Sequence, residues 1–114
     1  MKRIEAIIKE EKLTDVLDAL KKANFQGVTI TKSQGRGSGE RPQVRGGRGT
    51  MSYTAEFNRL ATIVTVVDNS KESSALLAIL SAASRGGKGD GKIFVSTIDE
   101  AYDIGTKEKG PKVI

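Results

Sequence analysis

An α+β domain with its elements in the order βαββαβ is what the chain predicts, from three observations. Apolar residues alternate with polar ones, or cluster as β-branched runs, over Lys2–Lys9, Val28–Lys32, Tyr53–Val67 and Lys92–Thr97. Two segments between them, Leu13–Ala23 and Lys71–Ser84, repeat apolar residues at helical spacing. The composition is 37% hydrophobic but only 4% aromatic, so the core is built from Ile, Val, Leu and Ala, which suits helices layered on a sheet. A chain of 114 residues without a shift in composition is one domain, 1–114, with one core.

The first strand alternates around Ile4, Ala6 and Ile8, with Ile7 apolar on its other face. The first helix carries Leu13, Val16, Leu17, Leu20 and Ala23 on one stripe, with Thr14 and Asp15 near its start, and ends at Asn24-Phe25-Gln26-Gly27. Val28-Thr29-Ile30-Thr31-Lys32 is the second strand. Residues Gly35 to Thr50 lack apolar periodicity and read as a long flexible loop, spanning about 36–54 with its margins, of a length usually kept for function. The third strand follows over Tyr53–Val67, clearest at Ala61–Val67. Asp68-Asn69-Ser70 then offers caps to a second helix whose stripe is Ala75, Leu76, Ile79, Leu80 and Ala83. Arg85-Gly86-Gly87 stops that helix, Lys92–Thr97 is the fourth strand, and the polar tail holds a short strand at Tyr102-Asp103-Ile104.

This order is the ferredoxin-like split arrangement, with two helices on one face of a four-stranded antiparallel sheet. The opposite face would carry Ile7, Thr29, Ile30, Val64 or Val66 according to register, and is apolar enough to be covered by neighbouring subunits.

With no cysteine and no histidine, disulfides, thiolate metal sites, zinc chemistry and Ser-His-Asp catalysis are excluded. The acidic pairs Asp99/Glu100 and Asp15/Asp18 read as solvated surface charge, so no enzyme is expected. The charged N-terminus is unlike a signal peptide and no apolar run spans a membrane, which points to the cytoplasm. Of the net charge of +5, the stretch Gly35–Thr50 supplies +3, from Arg36, Arg41, Arg45 and Arg48 against Glu40. Arg41, Arg45 and Arg48 are thereby candidates for contact with a partner protein.

Gly87-Lys88-Gly89-Asp90-Gly91-Lys92, leading into Ile93-Phe94-Val95, is the most informative motif. Alternating glycines expose backbone N–H groups to an anion, and Lys92 adds charge at the strand start. The same residues also make an ordinary helix-to-strand connection.

Three segments together resemble the PII nitrogen-regulatory signal-transduction family: Met1-Lys2-Arg3-Ile4-Glu5-Ala6-Ile7-Ile8-Lys9, the second strand running into Gly35-Arg36-Gly37, and Gly89-Asp90-Gly91-Lys92-Ile93-Phe94-Val95. The resemblance implies a homotrimer that binds adenine nucleotides (ATP, ADP or AMP) in clefts between subunits and regulates an ammonium transporter or a nitrogen-metabolism enzyme through its long loop. It implies that Ile7, Gly27, Val28, Thr29 and Val66 surround the adenine. Gly35, Arg36, Gly37 and Ser38 would face the phosphates, as would Gly89, Asp90, Gly91 and Lys92.

Three departures from the family stand out. Gly39 replaces the glutamine that holds nucleotide-bound Mg²⁺, and Leu60 replaces a lysine that approaches 2-oxoglutarate, which puts Mg²⁺ and 2-oxoglutarate sensing in question; Gln43 is the one nearby substitute. Asp103 and Gly105 stand where relatives place two phosphate-binding arginines, which favours ADP or AMP over ATP. Tyr53 falls where some bacterial relatives are uridylylated, although a tyrosine near a strand start is the plainer reading.

The alternative is an RNA-binding module, since Arg45-Gly46-Gly47-Arg48-Gly49 resembles an RGG segment and RNA-recognition domains share this fold. Its strands, however, offer few aromatics on which bases could stack, Phe94 chief among them. DNA is not expected as a partner.

Overall fold

Strand β1 (Lys2–Lys9) runs through a single 3₁₀ turn (Glu10–Lys12) into helix α1 (Leu13–Lys22) and returns as β2 (Thr29–Gly35). A small ribbon of β3 (Gln43–Arg45) and β4 (Ser52–Thr54) precedes β5 (Asn58–Val67), helix α2 (Glu72–Ala83) and β6 (Gly91–Thr97). This computed structural model describes residues 1–37, 41–45 and 52–114. The sheet order is β2-β5-β1-β6, every pair antiparallel, so the ferredoxin-like arrangement expected from the sequence is the fold observed.

The strict alternation of β1 and β5 decides the layering. Ile4, Ala6 and Ile8 on β1 and Ala61, Ile63 and Val67 on β5 point to the helices and are buried, where they meet Val16 and Leu20 of α1 and Ala75, Ile79 and Ala83 of α2. Each side chain of this size removed from water stabilises the fold by about 1.5–3 kcal/mol, less for alanine. Asn24, in the left-handed region at φ 67°, ends α1 and turns Phe25 back into the core, with Phe25 N–H donating to the Leu20 carbonyl at 2.9 Å. Asp68 caps the 3₁₀ turn Asn69–Lys71 ahead of α2 rather than the α-helix itself, accepting from Ser70 N–H at 3.1 Å and Ser70 Oγ at 2.6 Å.

Five expectations need correction. Tyr53–Val67 is not one strand: the chain bends at Ala55–Phe57, where Ala55 N–H donates to the Pro42 carbonyl at 2.7 Å and draws the arms of the loop together. The loop itself is therefore not without regular structure, since Gln43–Arg45 pairs with Ser52–Thr54. Leu80 does not join the core stripe of α2; it turns outward beside Leu77, and the helix buries Ala75, Ile79 and Ala83 at i, i+4, i+8 spacing instead. Ile30 lies on the helix side of the sheet, level with Ile63 and Ala6, and stays partly exposed because β2 is an edge strand. In the tail, the expected strand at Tyr102–Ile104 reduces to a single bridge between Tyr102 and Lys109.

The ribbon lengthens the molecule. Its radius of gyration is 17.1 Å, whereas a compact chain of this length would have about 13 Å. Among the described residues no helix is long and apolar enough to cross a membrane.

Candidate functional site

The pairing register sorts the open face of the sheet into rows. Thr31, Thr62, Ile7 and Lys92 form one, and Thr29, Val64, Glu5 and Phe94 the next. Val66 lies beyond them beside Arg3, whose Nη1 pairs with Glu5 Oε2 at 2.8 Å. The face is thus a mixture of apolar side chains and a charge pair, and it places Ile7 beside Lys92.

The turn ahead of β6 is shaped by glycines that adopt conformations other residues avoid. Gly86, Gly89 and Gly91 have φ of 88°, 93° and 128°. At Gly91 a side chain would also collide with the Ile7 carbonyl, since the two backbones touch there. Asp90 is turned into this loop: its Oδ2 accepts from Arg85 N–H at 2.7 Å and from Gly87 N–H at 3.3 Å. The Arg85 amide above all, with Gly87, holds the Asp90 carboxyl below the ordinary aspartate range. The carboxylate shapes the turn, while the Lys88 and Gly89 amides lie outside its grip.

At the same end of the sheet, but on the far edge, β2 delivers Gly35, Arg36 and Gly37 to the base of the loop. Three inter-strand gaps, about 14 Å, separate that edge from β6. Arg36 sits over the Phe57 ring, with Cζ 6.0 Å from its centroid. Arg41 is anchored on the ribbon, its Nη1 donating to the Glu56 carbonyl at 3.1 Å, and Tyr53 is exposed opposite Val44. Ser38, Gly39 and Arg48 lie outside the described residues, as does the side chain of Arg45.

Gly27, Val28 and Thr29 occupy the opposite end of β2, with Val66 near them on β5. Thr29 is three residues, about 10 Å along the strands, from the level of Gly91. The expected contacts therefore fall into three sets on one chain, one of them the loop base at Gly35, Arg36 and Gly37. Ile7 adjoins the glycine turn, whereas Gly27, Val28 and Thr29 stand at the other edge and other end, with Val66 on the neighbouring β5. A side chain at Gly27, Gly37 or Gly87 would meet nothing within 4 Å, so all three border open space.

Two clefts flank these sets. One of about 950 Å³ lies under the ribbon and takes in Arg41 and Tyr53 but no residue expected around a nucleotide. The other, of about 760 Å³, is lined by Gly27 and Val66 together with Pro111–Ile114. Sequence reasoning missed that terminal segment, and it missed Phe57 as the seat of Arg36; neither position carries a periodic or motif signal. Among the described residues no cluster of three or more acidic side chains is arranged to hold a metal.

The family model for nitrogen regulatory protein P-II matches residues 1–108. The chain belongs to the nitrogen regulatory protein P-II family. Curated P-II proteins are similar over their full length: that of Mesorhizobium japonicum is 42% identical over 112 residues, 96% of each chain, and that of Rhodospirillum rubrum 40% identical over 116 aligned positions, 100% of each. The P-II protein of a Synechocystis strain is 38% identical, again over 100% of both chains. P-II proteins are signalling proteins rather than enzymes, and the expected family and fold are both those found.

Proposed function

We propose that this P-II chain binds adenine nucleotides, ATP, ADP or AMP, in clefts between the subunits of a homotrimer. Ligand state would then reach a nitrogen-related transporter or enzyme through the loop at 36–54. The observation that carries this reading is the division of the expected contacts between opposite edges of one sheet. Residues about 14 Å apart across the sheet and 10 Å along it serve one nucleotide most simply when the second set comes from a neighbouring subunit. Glycine-turn amides, the Lys92 ammonium and the loop base at Gly35–Ser38 would hold phosphate oxygens. Ile7, Gly27, Val28, Thr29 and Val66 would bound the base. Covering the open face with neighbours would also bury Ile7, Val64 and Phe94, which supports self-association.

With Gly39 and Leu60 in place of a metal-holding amide and a cationic side chain, neither Mg²⁺ nor 2-oxoglutarate is expected to strengthen binding. Asp103 favours ADP or AMP over ATP by placing a carboxylate in the tail.

Calorimetry with ATP, ADP and AMP, repeated with Mg²⁺ and 2-oxoglutarate, tests the reading, alongside light scattering for the trimer. Lys92→Ala should weaken ADP roughly tenfold, the loss of one charge-assisted contact. No nucleotide binding by the parent protein would overturn the proposal. The RNA alternative is not favoured: among the described residues Phe94 is the one aromatic on the open face of the sheet.

A further inference from the structure

We infer that the outer face of α2 is a self-association surface, on which a second copy of this chain lays its own helical layer antiparallel. The surface lies on the helix side of the sheet, opposite the open face discussed above, and so goes beyond the nucleotide reading.

The two helices that cover the sheet present different surfaces to water. Helix α1 exposes Asp15, Asp18, Lys21 and Lys22. Helix α2 runs on from Ser73 to Ser84 without one ionisable residue. Its outward positions are Ser73, Ser74, Leu77, Leu80 and Ser81, and Leu77 and Leu80 are 66% and 55% exposed. A helix on the surface of a soluble domain ordinarily turns charged and polar residues outward, and a neutral face centred on two leucines is the pattern of a covered one. Serine hydroxyls on a helix return their hydrogen bonds to the carbonyl one turn back, so covering them strands no donor.

The charge pattern selects the occupant. Arg85 Nη2 meets Glu11 Oε1 at 3.0 Å, so the end of α2 lies beside the start of α1 and the two helices run antiparallel. Leu77 and Leu80 therefore stand level with the middle of α1, where an acidic half, Asp15 and Asp18, gives way to a basic half, Lys21 and Lys22. A two-fold axis crossing the helices at this level sets the leucines against their counterparts in the second copy. It also sets Asp15 and Asp18 opposite the second copy's basic half, and Lys21 and Lys22 opposite its acidic half. Parallel pairing would put the two α1 helices on opposite sides and gain none of this. Among the described residues Asp18, Lys21 and Lys22 have no ion-pair partner, and Asp15 has only Lys12 at 3.9 Å, so all four can reach across the contact. The 12 residues of α2 span about 18 Å, short of what a standard interface of roughly 800 Å² per partner needs, so the association is reversible and depends on concentration.

The test is sedimentation velocity of the full chain at about 5 and 500 µM, which bracket the affinity of so small a contact. The dilute sample should run at its basal mass, and the concentrated one should gain species of at least twice that mass. Leu77→Glu with Leu80→Glu, both outside the core, should hold the basal mass at both concentrations. Asp18→Lys should weaken association about tenfold, and adding Lys21→Asp should restore it, because the swap keeps the two-fold complementarity. These charge variants keep the test decisive should the leucine variant fail to fold.

A parent that stays at its basal mass in the concentrated sample overturns the inference and leaves the nucleotide reading standing. Association that survives the leucine substitutions overturns it too, as does a charge swap without rescue. Flotation of the parent with phosphatidylcholine vesicles, lost in the leucine variant and without self-association, overturns it in favour of a lipid surface. A basal mass other than that of a trimer counts against the trimer proposed above and not against this contact.

Discussion

The hydroxyl of Thr65 donates to the carbonyl of Gly27 at 2.7 Å, across 38 residues of sequence. Thr65 is the one buried polar residue among those described, and it sits in the helix-facing row of β5 among apolar neighbours. The bond ties the approach to β2, where Gly27 lies, to the interior strand β5. Thr65→Val keeps the shape but leaves the Gly27 carbonyl without this partner, and should destabilise by about 1–3 kcal/mol in urea unfolding. Thr65→Ser retains the hydroxyl and should lose only the methyl contribution, about 1 kcal/mol.

Gly91→Ala is expected to be among the most damaging single changes. The positive φ of 128° and the contact with the Ile7 carbonyl act together, and neither backbone has room to retreat inside a paired sheet. A loss of roughly 2–4 kcal/mol should appear as a fall in Tm or in soluble yield, against a near-neutral Gly87→Ala in the same turn, where the added methyl meets open space.

Gly35 and Leu60 are expected to be energetically coupled. A methyl on Gly35 would approach Leu60 Cδ1 to 2.6 Å, so Gly35→Ala should cost about 1–3 kcal/mol while Leu60 is intact. In the double variant with Leu60→Ala the two losses should sum to more than the measured total, by about 0.5 kcal/mol or more. Additive losses would mean that Leu60 moves aside freely.

Acid should loosen the glycine turn. The Arg85 amide chiefly, and Gly87, hold the Asp90 carboxyl low, so its contribution is complete above the ordinary aspartate range and is lost as the pH falls through the depressed value. Urea midpoints measured from about pH 6 downward should decline less steeply for Asp90→Asn than for the parent. Asp68, held low chiefly by the Ser70 hydroxyl, and Asp103, held low chiefly by the Thr106 amide, follow the same sign. The slope for Asp90→Asn is therefore reduced rather than abolished.

What the sequence could convey depended on whether a residue's neighbours are local. The alternation of Ile4, Ala6 and Ile8 and the stripe of Val16 and Leu20 are one-dimensional patterns, and the burial they predict is the burial observed. Gly89-Asp90-Gly91 was legible as a tight turn because its chemistry is contained within six residues. Leu80 was not, because Leu76, Leu77, Ile79 and Leu80 crowd one helical turn and only the position of the sheet decides which face inward. The bend at Ala55–Phe57 carries no glycine or proline, and arises from a bond to Pro42 on the other arm of the loop. Arg36 over Phe57 and the placement of Val113 beside Gly27 belong to the same class: contacts between residues far apart in the chain, which periodicity cannot register.

The sheet order also governs how the chain must come together. β1 is the first strand made, yet its two partners are β5 and β6, and the last rung it shares with β6 joins Lys2 to Thr97. During synthesis its apolar run Ile4–Ile8 emerges with neither hydrogen-bonding edge satisfied and waits for nearly the whole polypeptide to follow. Such long-range closure makes folding slow relative to helical domains and leaves a sticky segment open in the interim. β1 therefore stays unpaired on both edges until the later strands are made, and truncation before β6 should release a product that associates rather than one that folds.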